Sequence, residues 1–189
     1  DFYMLRKAIQ QIRKWIDMGI QPVNLSVNQS KIVFYHENYI SELKSLLKEY
    51  DVSASYITLE VLESTVIEDF KLFNQILLEV KKLGFSVSLD DFGSGYSSLN
   101  VLSKLTIDEL KIDRIFLHID SDLENKKTKW ILEGIINIAK KSNIRVVVEG
   151  VESSKDDEFI RCLGANVGQG YYYSRPLSID AFNDLIHKK

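Results

Sequence analysis

The chain has 189 residues, 45% hydrophobic and 11% aromatic, enough to bury the core of one domain. Its 24 Lys and Arg against 27 Asp and Glu give a formal charge of -3 without a basic cluster, which argues against binding a DNA or RNA duplex. The single cysteine, Cys162, excludes internal disulfides and thiolate metal clusters and fits a cytoplasmic location, and no apolar run reaches the length of a membrane span.

Helical and strand patterns alternate along the chain. Residues 1–18 put Leu5, Ile9, Ile12 and Ile16 on one helical face, and Gly19 is the stop. Val23, Leu25 and Val27 alternate as a short strand. Ile40, Leu43 and Leu47 predict a second helix, and Tyr56 to Val61 a second strand. A third helix carries Phe70, Phe73, Leu77 and Val80 and closes at Gly84; Phe85 to Asp91 is the third strand. A helix near 97–104, a strand near 108–112 and a long helix near 125–141 follow, its lysines at 126, 127 and 129 read as a solvated start.

Ile144 to Glu149 is the nearly continuous apolar run of a parallel strand buried on both faces. A helix near 154–163, a strand near 166–172 and a helix from about 178 complete the pattern. Cys162 and Asn166 are expected to pack, and alternation puts at least one of Tyr171–Tyr173 in the core. Exposed members of that trio would be free to stack on a base.

Six strands separated by helices imply an α/β fold with a parallel sheet. An open doubly wound sheet fits, and so does part of an eight-stranded barrel. A whole (β/α)8 barrel takes about 250 residues and six of its units roughly 190. That length, with a helix preceding any strand, favours a modified TIM barrel whose first two strands are missing from this chain.

A polar residue recurs late in each strand: Asn28, Glu60, Asp90 with Asp91, Lys111, Glu149 and Gln169. The steps average about 28 residues, the length of one strand–helix unit. Strands can end in polar residues merely because loops follow, but six such coincidences are improbable. In a barrel the C-terminal strand ends are where catalytic groups converge. Of these, Glu60, Asp90, Asp91 and Glu149, with Asn28, are hard oxygen donors, suited to Mg²⁺ or Mn²⁺ rather than zinc. Converging carboxylates without a cation would repel one another. Two bound ions clamp a phosphodiester and activate water, so metal-assisted phosphoester hydrolysis is the expected chemistry. Lys111 would orient that water or hold a phosphate oxygen.

The segment DDFGSGYSS at 90–98 is the most informative local motif. Gly93 and Gly95 permit a tight loop with positive φ, and Ser97 or Ser98 would cap the next helix. DFG occurs in protein kinases too, but no catalytic HRD loop or glycine-rich ATP loop accompanies it. As a dinucleotide fingerprint the motif fails, because two carboxylates precede it and would repel a pyrophosphate.

Six ordered segments, SVNQS at 26–30, LEVLES at 59–64, LDDFGSGYSSL at 89–99, LKID at 110–113, VVVEGVES at 146–153 and GQGYYYSRPL at 168–177, resemble the EAL domain family of cyclic di-GMP phosphodiesterases. The resemblance implies a modified TIM barrel hydrolysing cyclic di-GMP to linear pGpG in bacterial second-messenger signalling, with two Mg²⁺ or Mn²⁺ ions. It implies Asn28, Glu60 and Asp90 as ligands of one ion, and Asp90, Asp91 and Glu149 as ligands of the other. Lys111 and Glu149 would act in catalysis, with Glu152 and Gln169 supporting the metal and substrate side. Glu63 would hold the loop containing Gly93 and Gly95, and Pro176 would lie near a guanine. A homodimer contact through the helix after that loop is implied, as is upstream fusion to a sensor or GGDEF domain.

One departure stands out: the Glu-Ala-Leu motif that names the family is absent, and Glu60-Val61-Leu62 occupies a later place in the order. The expectation is an EAL-type domain, N-terminally incomplete, over residues 1–189. Two rival readings are a catalytically inactive receptor for the dinucleotide and a dimerisation module.

Overall fold

Among the described residues six strands form one parallel sheet whose order is the order of the chain, β1-β2-β3-β4-β5-β6. They are β1 (Leu25–Gln29), β2 (Ile57–Leu62), β3 (Ser86–Phe92), β4 (Glu109–Ile112), β5 (Arg145–Val148) and β6 (Val167–Gly168). A doubly wound sheet reverses its order at a switch point. Here each strand is added on the same side of the last, as in a barrel. The structure, a computed structural model, describes residues 1–66, 70–94, 102, 104–117, 122–165 and 167–187, with only the backbone of 66, 122–125 and 187.

Eight helices are described: α1 (Phe2–Asp17), α2 (Lys31–Phe34), α3 (Tyr39–Tyr50), α4 (Glu63–Val66), α5 (Phe70–Lys82), α6 (Asp122–Lys141), α7 (Ser154–Cys162) and α8 (Ile179–His187). Helix α1 buries Leu5, Ile9, Ile12 and Trp15, so Trp15 takes the innermost position that the spacing assigns to Ile16. On α5 the expected Phe73, Leu77 and Val80 are fully buried. The short α2 has no periodicity to announce it, yet its Phe34 ring lies 4.9 Å from Phe73 and 5.4 Å from Tyr39.

The sheet has two different faces. Val27, Leu59, Val61, Val87 and Leu89 are buried members of the main apolar core. The opposite face is polar: Asn28, Glu60, Ser88, Glu109 and Arg145 pair in register around the sheet. Ser26, Thr58, Glu60, Glu109, Lys111 and Arg145 are among the residues lining a cavity of about 400 Å³ on this side. The first and last helices meet: Trp15 Nε1 donates to Asn183 Oδ1 at 2.8 Å, and the Trp15 and Phe182 rings lie 6.2 Å apart.

Three expectations need correction. The strand near 166–172 is only Val167–Gly168. Beyond it the chain wraps around Val151, whose N–H donates to Gln169 O at 3.1 Å and whose carbonyl accepts from Tyr172 N at 3.0 Å. Gly170 is required there, because a Cβ would lie 2.1 Å from the Val151 oxygen. Tyr171, Tyr172 and Tyr173 therefore lie on a turn, and all three are exposed rather than core. Cys162 is also exposed, because Ile160 and Leu163 take the buried positions on either side of it.

Lys126, Lys127 and Lys129 are exposed as expected. Gly95, Ser97, Ser98, Asn166 and most of the helix near 97–104 lie outside the described residues.

Candidate active site at the strand ends

Three carboxylates converge where β3 and β5 end. Asp90, Asp91 and Glu149 each offer an oxygen, and these oxygens lie within 4.8 Å of one another. Successive strand residues ordinarily point to opposite faces. Between Leu89, paired with Leu110, and Phe92, paired with Ile112, the β3–β4 register shifts by one extra residue. Asp91 takes a left-handed φ of 57° at this bulge, which brings its carboxylate to the same mouth as Asp90. The Asp91 N–H donates to Asp90 Oδ1 at 3.1 Å.

Lys111 on β4 reaches the same place from below. Its Nζ lies 2.8 Å from Glu149 Oε1, 3.0 Å from Asp90 Oδ1 and 3.2 Å from Glu60 Oε1. Glu60, Asp90 and Lys111 are all buried. Burial works against the Lys111 ammonium, but the Glu149 hydrogen bond and the Glu60 and Asp90 charges outweigh it and hold its pKa above the ordinary lysine value.

The acids are less well balanced. Burial, with Asp90 and Asp113 nearby, raises the Asp91 carboxyl above its usual range despite Lys111. Burial raises Glu149 as well, and its bond to Lys111 offsets this only in part. Three carboxylates thus share one ammonium, and a fourth, Asp91, clusters with two of them. The arrangement favours an added cation, and its all-oxygen donor set fits a hard divalent ion.

The mouth is a cavity of about 350 Å³ lined by Asp91, Asp113, Arg114, Glu149, Glu152 and Gln169, among others. Glu152 lies on the loop leading into α7, which is fixed by a capping box. Asp156 Oδ2 accepts from the N–H groups of Glu152 and Ser153 at 3.1 and 2.8 Å, and Ser153 Oγ accepts from Asp156 N at 3.3 Å. Gln169 follows β6 and is anchored by its N–H to Val148 O at 2.8 Å. Asp113 and Arg114 were not among the sequence candidates. They follow Lys111 at the end of β4, where Asp113 Oδ1 accepts from Ile115 N at 2.8 Å to cap the 3-10 turn Arg114–Phe116.

The remaining candidates lie outside the oxygen cluster and the lining of the mouth. Asn28 is exposed on the edge strand, in register with Glu60. Glu63 is buried at the start of α4, directly after β2. Pro176 lines a neighbouring cavity of about 510 Å³ that shares Gln169, Gly170 and Tyr171 with the mouth. Gly93 has a φ of 100°, and a Cβ there would lie 2.3 Å from the Phe116 ring, so the loop after β3 requires glycine.

A barrel-type sheet with acids and a buried lysine at its C-terminal strand ends defines an α/β domain with a candidate metal site at the catalytic end of the fold. The chain belongs to the EAL domain family, whose profile matches residues 1–176. It is 35% identical over 175 residues to the bifunctional diguanylate cyclase/cyclic di-GMP phosphodiesterase MucR of Pseudomonas aeruginosa, covering 93% of this chain and 25% of that protein. It is 33% identical over 181 residues to the cyclic di-GMP phosphodiesterase PdeR of Escherichia coli, covering 95% and 27%. The solved MucR phosphodiesterase in complex with c-di-GMP superposes with a TM-score of 0.85 at 34% identity, covering 95% of this chain and 72% of that one. The chain spans about a quarter of the length of these two curated relatives. Among the described residues no helix is long and apolar enough to cross a membrane.

Proposed function

We propose that this domain hydrolyses cyclic di-GMP to linear pGpG with Mg²⁺ or Mn²⁺. The observation that carries the reading is the oxygen cluster Asp90–Asp91–Glu149 beside buried Lys111, at the strand ends of a chain in this family. Asp90, Asp91 and Glu149 hold one ion; Asn28, Glu60 and Asp90 are the proposed ligands of a second. When bound, such ions supply an activated water and neutralise the charge developing on the phosphate.

The chain's own groups do the rest. Lys111 orients the attacking water through its ammonium, which stays charged across the physiological range because its neighbours hold its pKa high. Glu149 joins that lysine to the cluster and takes part in catalysis. Glu152 and Gln169 border the mouth on the substrate side. Glu63, with Gly93 and Gly95, keeps the loop after Asp91 in its working shape. Pro176 sits near a guanine, beside Tyr171, whose ring carries the Arg175 guanidinium 5.1 Å from its centroid. We further propose a cytoplasmic homodimer fused upstream to a sensor or GGDEF domain, in bacterial second-messenger signalling.

The test is incubation with cyclic di-GMP and Mn²⁺ followed by chromatography for pGpG, with Asp90→Ala as control. Product that vanishes in the variant supports the reading. Bound but unhydrolysed dinucleotide would make the domain a receptor, and neither binding nor turnover would leave a dimerisation module.

A further inference from the structure

An ammonium has three N–H donors, and at Lys111 three carboxylates stand within ion-pair distance, at 2.8, 3.0 and 3.2 Å. Two of these partners, Asp90 and Glu149, also belong to the trio whose oxygens cluster within 4.8 Å. Lys111 is only 5% exposed, so water does little to screen its charge from anything that enters the cluster. Glu60 Oε1 is the lysine's third partner, and Glu60 is not in the trio.

We propose that Lys111 is an internal cation that competes with a divalent ion for Asp90 and Glu149, and so sets how tightly the domain holds metal. The inference rests on the metal reading above and adds a role for Lys111 separate from orienting water.

The electrostatic argument has a definite sign. A divalent ion among Asp90, Asp91 and Glu149 is attracted by all the carboxylates and repelled by the ammonium that shares two of them. Carboxylates have about four lone-pair positions each, so lysine and metal can coexist on one group. The competition is therefore a coupling between two cations, and it is reciprocal: bound metal loosens the lysine's pairing by the same factor. A purely structural lysine behaves in the opposite way. Its loss would leave buried carboxylates unpaired, distort the site and weaken metal binding.

The test is calorimetric titration of the full chain with Mn²⁺, comparing wild type, Lys111→Met and Lys111→Arg. The expected result is Mn²⁺ binding on the order of tenfold tighter in Lys111→Met, with Lys111→Arg close to wild type because its charge is kept. Equal or weaker binding by a folded Lys111→Met overturns the proposal. Should that variant unfold without metal, circular dichroism during Mn²⁺ addition decides the matter. Recovery at concentrations that saturate the wild type supports the competition, and no recovery overturns it. A wild type that binds no Mn²⁺ defeats the metal reading itself, whereas a binding wild type with no tightening in Lys111→Met defeats only this inference.

Discussion

Asp90 and Asp91 are neighbours on one strand, yet both bring an oxygen to within 4.8 Å of a Glu149 oxygen. The bulge between Leu89 and Phe92 makes this possible, with Asp91 at a φ of 57°. Asparagine tolerates that backbone conformation well. Asp91→Asn therefore removes a charge without straining the loop. We expect its melting temperature without metal to rise by a few degrees at neutral pH, and the stabilisation that Mn²⁺ gives the wild type to disappear. A variant that melts lower and still responds to Mn²⁺ would contradict the assignment.

The raised carboxyls set a pH dependence. A carboxyl whose folded pKa exceeds its unfolded value costs stability when charged. That cost is present above the folded pKa and is lost as pH falls through it. The advantage of Asp91→Asn should therefore shrink on acidification. Metal needs the charged form, so Mn²⁺ affinity should weaken at a higher pH than ordinary carboxylates would require, because Asp91 and Glu149 both protonate early. Calorimetry over a falling pH series measures this, and loss of affinity only where ordinary carboxylates protonate would count against the direction of these shifts.

Gly93→Ala introduces a side chain at a φ of 100°, 2.3 Å from the Phe116 ring. Strain of this kind costs about 1–3 kcal/mol. Thermal melting should fall accordingly, and turnover should fall further because the loop carrying Asp91 shifts. Unchanged melting and turnover would show that the loop adapts.

The meeting of α1 and α8 predicts a separable effect. Trp15→Phe keeps a ring against Phe182 but removes the N–H that donates to Asn183 at 2.8 Å. A loss of about 1 kcal/mol is expected by denaturant unfolding, with Mn²⁺ binding intact. Loss of metal binding in this variant would tie the helix contact to the site.

Periodicity made the strands and the long helices legible, since apolar spacing is what burial selects. The site was legible where a charged or amide side chain interrupts an apolar strand, as at Glu60, Asp90 and Lys111. The bulge at Asp91 was hidden, because a backbone dihedral leaves no trace in side-chain spacing. The turn at Tyr171–Tyr173 depends on hydrogen bonds to Val151, a partner distant in sequence, so alternation misread it as strand. The three-way pairing of Lys111 is likewise a product of sheet register: its partners come from β2, from β3 and from Glu149, directly after β5.

Diffraction from crystals soaked in Mn²⁺, recorded for its anomalous signal, tests the central claim most directly. The account predicts a peak within coordinating distance of the Asp90, Asp91 and Glu149 carboxylates that is lost in Asp91→Asn. Saturating Mn²⁺ with no peak there, or a peak that persists in the variant, would contradict it.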